Sequence, residues 1–535
     1  MILIRGAEVY DPANGLNGQV QDVWVDGERI APAPHSEVQH QYIDGRGTIL
    51  APAGVEIHTH VAGYGLSAAR RFQAGNPAAL DLLTPSAKTA AQRYLALGYT
   101  TVFDAASSPL MARLTSNDLQ QMTVLDRGTF TQLGDHRLLL NALAHGNRQE
   151  VRDTLAWLLR ISGGYAIKLV NPGGGIAWKA GRPAPGLDDP IGFEDLTQRT
   201  IIQTLVRQAN EMGLPHPVHL HANRLGHPGN ATAFCETVRA LEGQRTHLCH
   251  IQFYSYGQDE HGHFTSAAEQ VVQCLEEHPQ ITCDVGQVLF GDALAVSFDT
   301  SGLSDLHKST GKPWISRQLE GEGGTNVLPL TYRSRDASSA VQWAVGLELL
   351  LRFPDPARLF LTTDHPNGAP FTTYPQIIEL LMSKPARQEM MKSCHPAAEQ
   401  KTGLSGIERE YSLGEILTLT SWGPAQALGL TDRGHMHAGG LADLRCYRKQ
   451  ANLREMFARP AWVMYRGKVV MKDGLPTDDA AESHVLVVRP AWDEDRRSCL
   501  ENELENWVSL PARDYALGPD GQPGVKEVAC SSTGY

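Results

Sequence analysis

The stretch GTILAPAGVEIHTHV, residues 47–61, decides the fold. Apolar and β-branched residues dominate it, and it closes on His58-Thr59-His60. Residues two apart on a strand project from the same face, so these two imidazoles can reach one metal ion. A His-x-His pair also occurs by chance, and its meaning therefore depends on the rest of the chain.

Seven more apolar runs follow, and segments with helical periodicity lie between them. The runs cover residues 99–106, 137–147, 165–175, 216–226, 245–257, 281–292 and 357–368. Segments such as VRDTLAWLLRISG and FEDLTQRTIIQTLVRQANEMG have the period of an amphipathic helix. This alternation of strand and helix, repeated to eight strands, predicts an α/β protein with a (β/α)8 TIM-like barrel.

Residues that bind metals or carry protons stand where several of these strands end. They are His58, His60, Lys168, His221, His250 and Asp364. In a (β/α)8 barrel the active site lies at the carboxyl ends of the strands. The pattern therefore predicts a hydrolytic site with two divalent ions, and imidazole with oxygen ligands favours zinc.

Both ends of the chain have the pattern of short strands, which need partners to be stable. ILIRGAEVY and DVWVDGERI stand near the start, and GGLADLRCYR and AWVMYRGKVVMKDG stand near the end. We expect residues 1–48 and 437–488 to form one small β-sandwich, with the barrel of residues 49–436 inserted between them. Residues 489–535 are expected to form a C-terminal extension.

Composition excludes several classes of protein. The chain has 535 residues and a net charge of −12, which argues against nucleic-acid binding. It contains no apolar run of 18 residues and no leader pattern at its start, so we expect a cytoplasmic protein that does not enter a membrane. The eight cysteines include no C-x-x-C pair, which favours buried thiols over disulfides or a zinc ribbon.

The order His-x-His, Lys, His, His, Asp on strands 1, 4, 5, 6 and 8 resembles the metal pattern of the amidohydrolase superfamily. The blocks IHTHVAG, KLVNPGG, HLHANRLGHPGN, HIQFYSYG, DVGQVLFGD and TTDHPNGAPF together resemble the A components of formylmethanofuran dehydrogenases, over residues 1–474. Residues 107–130 lack the histidine-containing stretch of the archaeal form. They fit better the bacterial relatives, the hydrolase components of formyltransferase/hydrolase complexes, whose one-carbon carrier is methylofuran.

The resemblance implies a binuclear metal centre. His58 and His60 bind the more buried ion, and His221 and His250 bind the second one. A carboxylated Lys168 bridges the two ions, whereas an unmodified Lys168 that forms a salt bridge with Asp364 is the structural alternative. His219 shares a strand face with His221 and is the other candidate on strand 5.

Asp364 is expected both to bind metal and to move protons. It takes a proton from the attacking water and passes it to the leaving nitrogen. Its structural alternative is a helix or turn cap before the Pro-Asn-Gly sequence. Five further polar residues at strand ends could orient the substrate: Asn171, Asn223, Gln252, Gln287 and Asn367.

The remaining histidines of this region are expected to be structural or superficial. His247 stands three residues before His250 and so points to the other side of its strand. His227, His261 and His263 fall in predicted loops and are expected at the surface.

The resemblance implies hydrolysis of N-formyl-methylofuran to formate and the free amine, within a complex that also contains a formyltransferase. Among enzymes, the alternative is a cyclic amidase of the hydantoinase or dihydropyrimidinase type. Among non-enzymes, the alternative is a metal-free barrel that serves as the scaffold of a complex. Metal analysis and a substrate screen distinguish the three.

Overall fold

The structure is a computed structural model that describes residues 1–36, 39–72, 77–310, 326–508, 510–517 and 524–531. Eight parallel strands form the barrel, numbered here as barrel strands 1 to 8 in chain order. They are Gly54–Thr59, Tyr99–Ser107, Asp126–Gln132, Ala166–Val170, His219–His221, Thr246–Leu248, Ile281–Asp284 and Leu359–Phe360. The His60 backbone N–H donates to the His365 carbonyl at 2.7 Å and closes the barrel between strands 1 and 8. The predicted (β/α)8 barrel is confirmed.

The prediction of the third strand is wrong. Residues 137–147 are not a strand, because Arg137–His145 is a helix that buries three consecutive leucines, and Asn147 caps the helix Arg148–Ser162. Barrel strand 3 is Asp126–Gln132, and all seven of its residues are buried. Its sequence, DRGTFTQ, looks like a surface segment because its polar side chains find partners only in the folded protein. Asp126, for example, accepts from Arg433 and Arg466 at 2.8 and 2.9 Å.

Helices surround the barrel, as its alternating pattern predicts. They are Tyr64–Phe72, Pro77–Leu83, Ala87–Ala96, Ala112–Gln120, Arg137–His145, Arg148–Ser162, Gly174–Lys179, Gln198–Glu211, Ala231–Ala240, Ala268–Glu276, Thr300–Thr310, Ala337–Arg352, Tyr374–Met382, Lys384–Ser393, Ala397–Gln400, Leu413–Leu417, Gly423–Ala427, Leu453–Ala458, Arg497–Val508 and Ala512–Tyr515. Among the described residues, no helix is both long and apolar enough to cross a membrane.

A second, mixed sheet contains strands from both chain ends. Its nine strands are Ile2–Asp11, Leu16–Asp26, Arg29–Ala31, Gln41–Asp44, Thr48–Pro52, Leu444–Arg448, Trp462–Tyr465, Lys468–Lys472 and Leu475–Pro476. The two ends meet where Thr48–Pro52 pairs antiparallel with Leu444–Arg448. The described strands form one hydrogen-bonded sheet with its own apolar core. The predicted β-sandwich is thus found as one mixed sheet, and its assembly from both chain ends is confirmed.

The C-terminal segment returns to the barrel. Val485–Val487 pairs in parallel with barrel strand 3, and Val525–Glu527 pairs with Val485–Val487. Residues 485–487 are predicted in the second sandwich segment, whereas the structure places them in the barrel sheet. Residues 49–52, predicted at the start of the barrel, likewise belong to the strand Thr48–Pro52 of the second sheet. The other domain boundaries stay a prediction.

Two hairpins extend from the barrel. Tyr256–Gln258 and Phe264–Ser266 form a short one after strand 6. Gly291–Ser297 and Asn326–Tyr332 form a longer antiparallel hairpin after strand 7. We call the longer hairpin, together with residues 298–310, the roof, since its apolar side chains line the same cavity as the residues at the barrel mouth.

Candidate metal centre

One cavity at the carboxyl ends of the strands brings together all six residues of the predicted metal site. Its volume is about 70 Å³, and the six are His58, His60, Lys168, His221, His250 and Asp364. They come from barrel strands 1, 4, 5, 6 and 8 or from the residues that directly follow those strands. The folding of the barrel therefore gathers side chains that are up to about 300 residues apart in the chain.

Several ligand-type atoms meet here without forming hydrogen bonds to each other. His58 Nε2 lies 3.1 Å and His60 Nε2 lies 3.2 Å from Asp364 Oδ1. His58 Nε2 and Asp364 Oδ1 are nevertheless buried atoms without a hydrogen-bond partner, and so is His250 Nδ1. Buried polar atoms are rarely left in this condition. Imidazole and carboxylate donors that converge in this way fit a divalent metal ion.

Two carboxylates flank His58 and favour positive charge in the cavity. Asp284 faces its Nδ1 at 3.0 Å, and Asp364 faces its Nε2. Burial lowers the pKa of His58, but the charges of these carboxylates outweigh burial and raise the pKa to about 9. Burial likewise opposes ionisation of Asp364, yet the facing histidines hold its pKa well below the ordinary value. Either a proton or a metal cation can compensate the negative charge of these two carboxylates.

Lys168 has a neighbour that the sequence pattern does not reveal. Its Nζ donates to the Cys249 Sγ at 3.1 Å, and the thiol lies 3.3 Å from His250 Nε2. Burial raises the pKa of the Cys249 thiol to about 12, so the cysteine is neutral. Among the described ion pairs, none joins Lys168 to Asp364, which leaves the structural alternative for this lysine without support.

On barrel strand 5, His221 faces the cavity and His219 does not. His221 Nε2 lies 3.3 Å from Asp299 Oδ2 of the roof, and its ring lines the cavity. His219 lies inside the barrel, with its Nε2 3.1 Å from His58 Nδ1. The geometry therefore favours His221 over His219 as the ligand from this strand.

Of the five predicted substrate-orienting residues, one lies in the cavity wall. Asn367 lines it and also accepts from the Val296 N–H at 2.7 Å. The side chain of Gln287 donates to backbone carbonyls, and that of Gln252 accepts from the Val288 N–H at 2.8 Å. Asn171 donates to Asp299 at 2.8 Å. Asn223 is buried and, like these three, is not among the residues that line the cavity.

A buried polar layer beneath the cavity was not predicted either. His216, His219, His247 and Asp284 are fully buried inside the barrel, where aliphatic side chains are the usual filling. His227, expected at the surface, is 8% exposed and therefore buried, while His261 and His263 are exposed as predicted. The one signal of this buried layer in the sequence was the six histidines between residues 216 and 250.

Apolar side chains cover the cavity. The roof contributes Val296, Phe298, Leu303, Leu306, Leu330 and Tyr332, and the barrel loops contribute Leu225 and Phe253. The cavity therefore has ligand-type polar side chains at its floor and hydrocarbon above them.

The fold and the site together define a metal-dependent hydrolase, and the chain belongs to the amidohydrolase family, whose model matches residues 41–474. It is thereby a hydrolase that acts on a C–N bond. D-aminoacylase has the same fold, with a TM-score of 0.52 and 15% identity over 90% of this chain and 99% of that one.

Two proteins are much more similar. The chain is 39% identical to FhcA, a component of the formyltransferase/hydrolase complex of Methylorubrum extorquens, and 34% identical to the protein FwdA of Methanocaldococcus jannaschii; each match covers 88% of both chains. A crystal structure of the FhcABCD complex of M. extorquens with methylofuran matches with a TM-score of 0.92 and 35% identity. That match covers 99% of this chain and 100% of the other. The resemblance inferred from the sequence blocks is confirmed.

Proposed function

We propose that this protein hydrolyses the N-formyl amide of formyl-methylofuran to formate and the free amine of the carrier. One observation carries the proposal: four imidazoles, one amine and one carboxylate converge in a single cavity under an apolar roof. The similarity to FhcA, and to the structure of the FhcABCD complex with methylofuran, supports this choice of substrate.

We assign the metal ligands to residues of the cavity wall. His58, His60 and Asp364 would hold one ion, and His221 and His250 would hold a second. Lys168, once carboxylated, would contact both. Two divalent ions, with zinc favoured by these donors, supply Lewis-acid activation of the formyl oxygen and of water.

Asp364 moves the proton. During hydrolysis a bond forms between the water oxygen and the formyl carbon, and the bond between that carbon and the amine nitrogen breaks. As a carboxylate, Asp364 would accept a proton from the attacking water and return it to the nitrogen. The amine then leaves as a neutral group.

The roof would bind the carrier part of the substrate. Its side chains, among them Val296, Leu330 and Tyr332, would pack on the carrier beside the formamide and exclude water from it. Asn367 would orient the formyl group, since it lies in the wall close to Asp364 in sequence and space.

We further propose that the protein acts within a complex, together with a formyltransferase that loads the carrier with its formyl group. FhcA of M. extorquens forms part of such a complex. The eight cysteines are all free, which agrees with a reducing cytoplasmic location. Size-exclusion of a native extract should show the chain in a larger assembly.

The variant Asp364→Asn tests the function. It keeps the size of the side chain but removes the proton acceptor, so formate release from formyl-methylofuran should fall by at least ~10²-fold at matched metal occupancy. Asp355→Asn makes the same substitution at a half-exposed position four residues before barrel strand 8 and should release formate at the wild-type rate. Formate absent from the wild-type reaction, with metal bound, would contradict the proposed substrate.

A further inference from the structure

The carboxylate of Asp284 lies at the end of barrel strand 7 and is fully buried. Four donors surround it. Its Oδ2 lies 3.0 Å from His58 Nδ1 and 3.1 Å from His247 Nε2. Its Oδ1 accepts from the His250 backbone N–H at 3.0 Å and from the Thr362 hydroxyl at 2.6 Å. None of the predicted metal sites includes this residue, and it does not line the cavity.

We propose that Asp284 is a positioning residue that presets both halves of the metal centre: it fixes the tautomer of His58 and the backbone of His250. This inference rests on the proposed function, since it assumes that the cavity binds metal. Histidine ligands in metal sites usually donate their second ring N–H to a carboxylate, which orients the ring and makes it a stronger ligand.

The tautomer of His58 follows from a chain of hydrogen bonds that starts outside the site. His216 Nδ1 lies 2.7 Å from the Ala427 carbonyl, which only accepts, so this nitrogen carries the proton. In the neutral ring, His216 Nε2 is therefore the acceptor, and it faces His219 Nδ1 at 3.1 Å. His219 Nδ1 must then donate, which leaves His219 Nε2 as an acceptor.

His219 Nε2 lies 3.1 Å from His58 Nδ1, and Asp284 Oδ2 faces the same nitrogen. Both neighbours accept, so the proton of neutral His58 is on Nδ1. The lone pair of His58 is consequently on Nε2, the atom that faces Asp364 and the cavity. The buried histidines beneath the site thus act with Asp284 to leave His58 Nε2 unprotonated and able to bind a metal ion.

His250 depends on Asp284 through its backbone. It has a φ of 38°, in the left-handed region that a non-glycine residue seldom occupies. The bond from its N–H to Asp284 Oδ1 holds this conformation, which sends the side chain into the cavity. Thr362 stands two residues after barrel strand 8 and two residues before Asp364, so its hydroxyl connects the same carboxylate to the segment that carries Asp364.

Asp284→Asn tests the proposal, because an amide has one accepting oxygen and so must point its NH₂ at two of the four donors. The probe is Zn²⁺, titrated into metal-free protein against a chelator. We expect affinity to fall about 10- to 100-fold for at least one ion, while the metal-free protein stays folded by its thermal transition. Wild-type zinc affinity in a folded Asp284→Asn protein would overturn the proposal.

Asp153→Asn is the matched control. Asp153 is equally buried but lies on helix Arg148–Ser162, where it accepts from Gln149 and the Asp493 N–H at 2.9 and 3.0 Å. This variant should lose stability without losing zinc affinity. If Asp284→Asn does not fold, Thr362→Val and Thr362→Ser decide: weaker zinc binding in the valine variant alone supports the proposal, and equal binding in both overturns it.

The proposed function and this inference fail in different ways. A wild-type protein that binds zinc but releases no formate contradicts the function and leaves the positioning role of Asp284 in place. A wild-type protein that binds no zinc contradicts both.

Discussion

At the scale of single residues, Lys168 is the most informative position. Its amine lies in a buried cavity beside His250 and Cys249, and among the described ion pairs none joins it to Asp364. A buried lysine without a carboxylate partner is costly, unless it is neutral or modified. Carboxylation, as proposed, would remove that cost, because it would convert the cation into an anion between the two proposed cation sites.

Lys168→Ala should therefore lose the second metal ion and nearly all formate release. Short carboxylates with bicarbonate should partly restore both, and Lys168→Arg should fail as well, because a guanidinium forms no carbamate. Elemental analysis and formate assays check this expectation. Lys179→Ala, an exposed lysine after the same strand, is the control, and full metal content in Lys168→Ala would make Lys168 structural.

The sequence was a good guide to the residues of the cavity wall and a poor one to what lies behind them. His58, His60, Lys168, His221 and Asp364 follow strands whose pattern is clear, so their convergence could be predicted from the barrel alone. Cys249, Asp284 and Asp299 contact these residues from positions that no local pattern distinguishes. Contacts between side chains far apart in sequence become visible only in the folded chain.

At the scale of elements, the prediction of strands failed where a buried strand has a polar sequence. Barrel strand 3 has a polar sequence, and its neighbour Arg137–His145 has the apolar run that a strand would show. The seven other strands were located because apolar and β-branched residues reveal them. A buried strand whose polar side chains have partners in the folded protein therefore cannot be recognised from the periodicity of its sequence.

Barrel strand 3 also needs the C-terminal segment. Leu486 is fully buried, and its backbone lies opposite Gly128, where a Cβ would come within 3.1 Å of the Leu486 carbonyl oxygen. Leu486→Ala should lower the free energy of unfolding by about 2–5 kcal/mol, measured by urea denaturation. Leu475→Ala, at a position 70% exposed, should change it little. If Leu486→Ala changed the free energy of unfolding as little as Leu475→Ala does, the returning strand would not stabilise the barrel.

At the scale of the whole molecule, a buried ion network joins the barrel to the second sheet. Asp126 of barrel strand 3 accepts from Arg433 and Arg466, and Tyr465 donates to it at 2.6 Å. The arginines come from the segment that leads into the second sheet and from a turn within it. Removal of one partner from such a buried pair typically costs about 3–5 kcal/mol, because the remaining charge is left buried without compensation.

Asp443 lies beside this network and should give the protein a distinctive dependence of stability on pH. Its Oδ1 accepts from the Arg466 N–H at 2.8 Å, and its Oδ2 accepts from Thr100 of barrel strand 2 at 3.3 Å. Burial raises its pKa from 3.8 to about 6, although Arg433 and Arg466 oppose the rise. The folded protein therefore holds this proton more tightly than the unfolded chain does.

The sign of the effect follows from that difference. Between about pH 4 and pH 6 the folded state binds more protons than the unfolded one, so Asp443 makes stability fall as pH rises through this window. Asp443→Asn lacks the titration, and its stability relative to wild type should rise by about 3 kcal/mol across the window and then stay level. Asp473→Asn, at an exposed position where Arg448 lowers the pKa, should show no such rise. Thermal unfolding of the three proteins from about pH 4 to pH 7 measures the difference, and parallel curves for wild type and Asp443→Asn would mean that Asp443 is ionised in the folded protein throughout.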